Sequence, residues 1–325
     1  MTPIGPVPDR TTLWGRTGGS GSGKTVVVAL TANLLVALAK SGAAVITGSV
    51  AVLAEAAHSW ADTGNEVFLL VAHRRSRRPP DPTHPLGHGR EAYVWSLFAA
   101  LGLFVVGAVL SVSNGIRALL FPQPASNFLL GYVVLALAFL FEGGSFLQSM
   151  RQARGEAESM QRDLMEHVLA TSDPTLRAVF AEDSAALIGL VMAAGGLVGN
   201  QFTGSAVPDA AGSILIGILL AVVAVVLINR NRRFLVGEEA DPRVRAAAIQ
   251  ALLDLPEVAR VTYLRLDVVG PRMISVVGAV DLTGDYAESQ VAIQLRELEA
   301  KMSRSPAVVH AVLTLSAPYE PTLLV

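Results

Sequence analysis

The chain has 325 residues, 52% of them Ala, Val, Ile, Leu, Met, Phe, Trp, Tyr or Cys, with 29 Gly besides and only 16% charged, against ~25% charged in an ordinary soluble domain. The charge is uneven, with 20 of the Asp, Glu, Lys and Arg residues in the last 91 positions and 32 in the first 234. This argues against a soluble enzyme and for a membrane domain followed by a smaller soluble one. A net charge of −2 excludes a strongly basic nucleic-acid binder, and the absence of cysteine restricts any metal site to nitrogen and oxygen ligands.

Taken in chain order, residues 1–23 read as a flexible tail rich in Gly, Pro, Ser and Thr, with no cleavable signal peptide. Gly18-Gly19-Ser20-Gly21-Ser22-Gly23-Lys24-Thr25 matches the phosphate-cradling GxxxxGK[ST] pattern. That loop needs a buried strand before it and a soluble helix after it, whereas here a polar tail precedes a helix apolar enough to span lipid. No nucleotide is therefore expected as a partner.

Six apolar stretches follow, at 26–46, 50–72, 92–120, 128–147, 176–198 and 210–228, each near the ~20 residues that cross a bilayer core. Of the 17 Lys and Arg before residue 235, 15 lie before span one (Lys24 included), between spans two and three, between spans four and five (with Arg177 at the start of span five counted there), or after span six. Lys40 and Arg117 alone fall near the opposite ends. Basic residues stay cytoplasmic, so the pattern predicts six spans with both termini inside, and residues 24–234 are assigned to a membrane transport domain. Residues 235–325 read as a small cytoplasmic α+β domain of ferredoxin-like type: helix 241–255, strands 261–269 and 273–282 joined at Gly270-Pro271, helix 288–302 and strand 307–315.

The membrane part is informative for the ionisable residues it retains, because such groups are costly in lipid and usually mark a substrate path. His58 and Asp62 are four apart on span two and so share a helix face, with Glu55 and Asn65 near the same stripe. An imidazole and a carboxylate in this relation can hold one divalent cation, with tetrahedral geometry suiting zinc. The bland alternative is a His–Asp hydrogen bond that only ties helices together. Span five offers partners in Glu182 and Asp183, which point about 100° apart, so one of them is expected to face the ion squarely. Glu142 in span four reads as a direct ligand or as a structural or proton-handling residue. In the loop after span two, Asp81, His84 and His88 have ligand-compatible spacing; alternatively, the two His hydrogen-bond and cap span three.

These residues resemble the cation diffusion facilitator family, also called cation efflux proteins. The resemblance rests on the run from Gly48 to Asp62, on His84-Pro85-Leu86-Gly87-His88-Gly89-Arg90, and on six spans followed by an α-β-β-α-β tail. It implies a homodimeric antiporter that exchanges a cytosolic divalent cation, often zinc, for protons. It also implies a central site made by an HxxxD pair in span two and an [HD]xxxD pair in span five. His58 and Asp62 match the first pair and Asp183 the end of the second, whereas Val179 stands where the remaining ligand is expected. A zinc-transporter-like branch carries Glu-Asp-Ser-Ala-Ala here, as at 182–186, so Glu182 is the candidate substitute. An added oxygen ligand gives weight to manganese, iron(II) or cobalt as the cargo.

The loop site carries over onto Asp81, His84 and His88. The tail, whose only His is His310, is expected to dimerise without a zinc cluster. The sequence thus predicts no enzyme and no catalytic cofactor, but a proton-coupled divalent cation exporter, most simply of zinc, in a bacterial plasma membrane. The rival reading is a membrane metal-binding or sensing protein that transports nothing.

Overall fold

The structure, a computed structural model, describes residues 23–122 and 127–323. Most of the tail, including residues 18–22 of the GxxxxGK[ST] match, lies outside the described residues; Gly23, Lys24 and Thr25 open the first helix.

The membrane part is helical: α1 (Gly23–Thr47), α2 (Val50–Ser76), α3 (Glu91–Leu120), α4 (Phe128–Ser159), the short α5 (Leu164–Ala170), α6 (Pro174–Thr203) and α7 (Val207–Val236). Four of these, α3, α4, α6 and α7, are long and apolar enough to cross a bilayer. The remaining expected spans, 26–46 and 50–72, are helical within α1 and α2 but fall outside that set. In α1 the apolar stretch measured among the described residues is Asn33–Thr47. In α2, 27 residues long, Glu55, His58, Asp62 and Glu66 interrupt the hydropathy, and most of these are turned inward rather than toward lipid. α4 continues past the expected end at 147 to Ser159 because its polar last turns still bury Ala157 and, against Val168, Leu176 and Phe180, Ala153.

Tight helix contacts place the polar residues. Gly48 turns the chain between α1 and α2 at φ 67°, a conformation that costs glycine little. Asp209 at the start of α7 then caps α2 from outside: it accepts from Val50 N at 2.7 Å and from Ser49 Oγ at 2.5 Å, while Ser49 Oγ accepts from Val52 N. The buried donors at the start of α2 thus find an acceptor on another helix. α3 and α7 approach closely through glycine, since a Cβ at Gly217 would lie 2.6 Å from Val112 Cγ2 and 2.9 Å from the Ala108 carbonyl. This is the small-residue packing that membrane helices use in place of hydrophobic drive. Ala108 belongs to a π-helical stretch of α3 at Leu103–Val109.

After α7 come α8 (Pro242–Leu253), β1 (Val258–Gly270), β2 (Met273–Leu282), α9 (Glu288–Met302) and β3 (Val308–Leu315), in the expected α-β-β-α-β order. β1 and β2 pair antiparallel and β2 and β3 parallel, giving one sheet in the order β1-β2-β3. Alternating burial puts Val261, Leu264, Leu266, Val276, Val280 and Leu313 in the core against Ile249, Leu252 and Leu298 of the helices. Tyr93 of α3 and Phe234 of α7 enter the same core, their rings stacked 5.0 Å apart. Arg177, 1% exposed, lies over Phe234 and donates to Asn231 Oδ1 and to the Thr171 carbonyl. It was counted above as a loop base but is a buried junction residue.

Candidate metal centre

His58 is fully buried on the inner face of α2, and its Nδ1 lies 3.3 Å from Asp62 Oδ1 one turn on. No hydrogen bond joins them: both imidazole nitrogens and Asp62 Oδ1 are buried without a hydrogen-bond partner. Two donors bound ~2.0–2.1 Å from one tetrahedral ion stand about 3.3 Å apart, which is the separation seen. The His–Asp hydrogen bond of the bland reading is therefore absent, and a buried polar atom left unpaired costs ~1–3 kcal/mol.

Asp62 opens onto a partly enclosed cavity of about 80 Å³, lined by α1, α2, α4 and α6. α6 contributes Val179, Glu182 and Asp183, α4 contributes Glu142 and Ser145, and α2 adds Ser59 and Glu66. Glu182 accepts a hydrogen bond from the Asn65 amide on α2 through one oxygen, and its other oxygen has no partner. Asp183 instead turns to α4, accepting from Ser145 Oγ at 2.9 Å and Ser149 Oγ at 3.3 Å. The ~100° separation of neighbouring helix positions is thus realised: Glu182 faces α2 and Asp183 faces α4, although both border the same cavity. Val179 lines that cavity too, with no atom able to bind a cation.

The sequence reading missed three contributors. Asn33 of α1 donates to Glu66 Oε1 at 2.7 Å, and both residues border the cavity. Lys40, expected near the outer membrane face, is 0% exposed, with Nζ 3.2 Å from Glu55 Oε2 and 3.5 Å from Glu142 Oε1. Glu55, expected near the His58 stripe, therefore faces a buried ammonium. Glu142 is held as an ion-pair partner. The signal available in the sequence was the apolar run around Lys40, long enough to bury it, read there as a flank.

In the loop after α2 the structure gathers Asp81, His84 and His88. Among the described residues, this trio is the one group of three or more His or acidic side chains whose ligand atoms all lie within 4.8 Å of one another. His88 is buried, with Nε2 2.8 Å from Asp81 Oδ2 and Nδ1 3.2 Å from Glu91 Oε1. His84 is exposed, and its ring centroid is 4.1 Å from that of His88. The Thr83 hydroxyl, His88 and the His84 backbone N–H hold the Asp81 carboxyl well below the usual carboxylate range. Both readings of this loop remain compatible with the geometry, since His88 hydrogen-bonds Glu91 at the start of α3 while the trio keeps ligand spacing. No comparable cluster forms around His310 among the described residues.

The fold and this cavity define the class: a polytopic helical membrane protein with carboxylates lining a space between its helices and an unpartnered buried imidazole one turn from one of them. Residues 26–236 match the cation efflux transmembrane domain family. The chain belongs to that family, the cation diffusion facilitators. It is 34% identical over 88% of its length to Metal tolerance protein C4 of Arabidopsis thaliana, covering 63% of that protein. It is 34% identical over 83% to the proton-coupled zinc antiporter SLC30A9, mitochondrial, of Xenopus laevis, covering 49% of it. To the manganese efflux system protein MneP of Bacillus subtilis it is 25% identical over 75% of the chain and 78% of that protein. The chain thus spans about half to two thirds of the length of the first two. The family supports divalent cation transport, and the likeness to SLC30A9 fits the zinc-transporter-like branch.

Proposed function

We propose that this chain is a proton-coupled antiporter that moves a divalent cation, zinc first, out of the cytoplasm. His58, Asp62 and Glu182 are its central ligands, and Asp183 is the neighbouring carboxylate that completes the shell or carries a proton. The observation that carries this reading is the His58–Asp62 pair: three buried donor atoms without hydrogen bonds, two of them at ligand spacing, with Asp62 on the wall of the cavity. Imidazole and carboxylate bind metal only when deprotonated, so loading releases protons. In apolar surroundings the emptied anions need a partner again, and returning protons supply it. Glu182 comes from α6 and borders the same cavity as Asp62 of α2, so a shift of α6 toward α2 would close the shell and a shift away would open it. That is the movement alternating access requires.

The finer assignments rest on the same reading. Residues 1–23 form the tail, 24–234 a six-span domain including α1 and α2, and 235–325 a cytoplasmic ferredoxin-like domain, with both termini inside. The active unit is a homodimer in a bacterial plasma membrane, and Asp81, His84 and His88 take a second cation in the loop. Manganese, iron(II) or cobalt as preferred cargo is the alternative favoured by Val179, whose place in the cavity removes a nitrogen ligand and leaves oxygens.

The test is flux in vesicles with an imposed pH gradient, loaded in turn with zinc, manganese, iron(II), cobalt and cadmium. His58→Ala and Asp62→Ala are expected to lower zinc flux at least ~10-fold. Flux at the parental rate in these variants would sink the assignment. Tight zinc binding without any gradient-driven flux would favour the sensing protein.

A further inference from the structure

We propose that Lys40 is a specificity-determining residue: its buried ammonium holds the Glu142 carboxylate off the transported cation, leaving a shell with one carboxylate fewer, which favours zinc. This rests on reading the cavity as the metal site.

Three helices meet at this point. Lys40 comes from α1, Glu55 from α2 and Glu142 from α4, at 3.2 Å and 3.5 Å from the ammonium. Lys40 and Glu55 are 0% exposed. The Glu55 carboxylate is fixed in position, because the space over it exists only through Gly189 of α6, where a Cβ would come within 2.2 Å of Glu55 Oε1. A buried ammonium without an anion would cost several kcal/mol, and Glu55 alone supplies that anion at the shorter distance. The second acid is therefore surplus to neutralising Lys40.

Glu142 differs from Glu55 in one respect: its side chain is 15% exposed and lines the same cavity as Asp62, Glu182 and Asp183. Released from Lys40, it would be a further carboxylate facing the cation. Carboxylate oxygens suit manganese, whereas imidazole and a small shell suit zinc. Lys40 thus acts as a tethered competitor for one acidic side chain and keeps a carboxylate-rich cavity from presenting all its oxygens at once.

The experiment uses the full chain in detergent, titrated with zinc or manganese alone, with the same ratio read as flux in vesicles. Lys40→Met/Glu55→Gln removes the ammonium together with its close partner, so that no uncompensated pair partner stays buried while Glu142 is freed. The ratio of manganese to zinc affinity is expected to rise at least ~10-fold over the parent. Adding Glu142→Gln is expected to return it to the parental ratio. A merely structural pair would leave the ratio unchanged, and that result, or a rise that persists in the triple variant, overturns the proposal. If the double variant does not fold, Glu142→Gln alone decides: the parental ratio is expected, and a fall in manganese relative to zinc would show that Glu142 already binds the cation. A parent that binds neither metal removes the proposed central site itself, and this inference with it.

Discussion

Val179 is the side chain at which the proposed site departs from the family's ligand pattern. It lies four residues before Asp183 on α6 and lines the cavity, so a residue there faces the same space. Val179→His would add an imidazole to the His58–Asp62 pair. It is expected to raise zinc affinity by about 10-fold or more and manganese affinity much less, read by competition with a metal-sensitive dye. Equal affinities in parent and variant would mean that position 179 lies outside the coordination shell. The His58–Asp62 pair was legible in the sequence because four-residue spacing on a helix fixes a shared face without any knowledge of neighbours. The Asn65–Glu182 contact was not, since it joins residues 117 apart in the chain. Adjacent acids gave only the angle between them, and the packing of α6 between α2 and α4 chose which faced which.

Among the helices, the start of α2 is secured by α7. Asp209→Ala would leave Ser49 Oγ and the Val50 amide without their acceptor in a place hidden from water. It is expected to cost ~1–3 kcal/mol in thermal or chemical unfolding of the detergent-solubilised protein. A change within error would show that Ser49 and the first turn find other acceptors. Because α2 carries His58 and Asp62, the same variant is expected to lower zinc affinity as α2 loosens. The apolar runs at 128–147, 176–198 and 210–228 were readable as helices from length and composition, and the soluble strands from alternation. The ends were less so: α4 runs on to Ser159 because a polar helix still buries Ala153 and Ala157, and α5 forms in a stretch with little pattern of its own.

At the scale of the molecule, the soluble domain is held to the membrane helices by contacts at the β1–β2 turn. Arg272, in the left-handed region at φ 58°, donates to Glu156 Oε1 of α4 at 2.7 Å and lies 3.5 Å from Asp173 Oδ2 at the start of α6. Its backbone amide donates to Ser172 Oγ, and Gly89 beside His88 packs directly on Val269 and Gly270. Exposed ion pairs are weak one by one, but Arg272→Glu places like charges against two acids. It is expected to speed amide exchange in the turn at 270–273 and in residues 160–173, while the soluble core around Leu264 and Leu266 keeps its protection. Unchanged exchange across the turn would mean that Gly89 and Tyr93 carry the docking without Arg272. The helices that receive these contacts, α4 and α6, also line the cavity.

The sequence by itself determined the class of molecule, since apolar length, the scarcity of charge and four-residue spacing are local properties that survive in any context. It set the helical membrane part, the order of the soluble elements, the His58–Asp62 face and the Asp81–His84–His88 loop. It could not set which buried charge meets which. Lys40 was read as a marker of the outer face because a lone base in an apolar run gives no sign of its partners, and Glu55 was grouped with His58 because both lie on one helix. Only the packing of α1, α2 and α4 brought ammonium and carboxylates together. The reason is physical: ion pairs and metal shells are made by atoms a few ångströms apart in space, and in a helical bundle those atoms come from different helices.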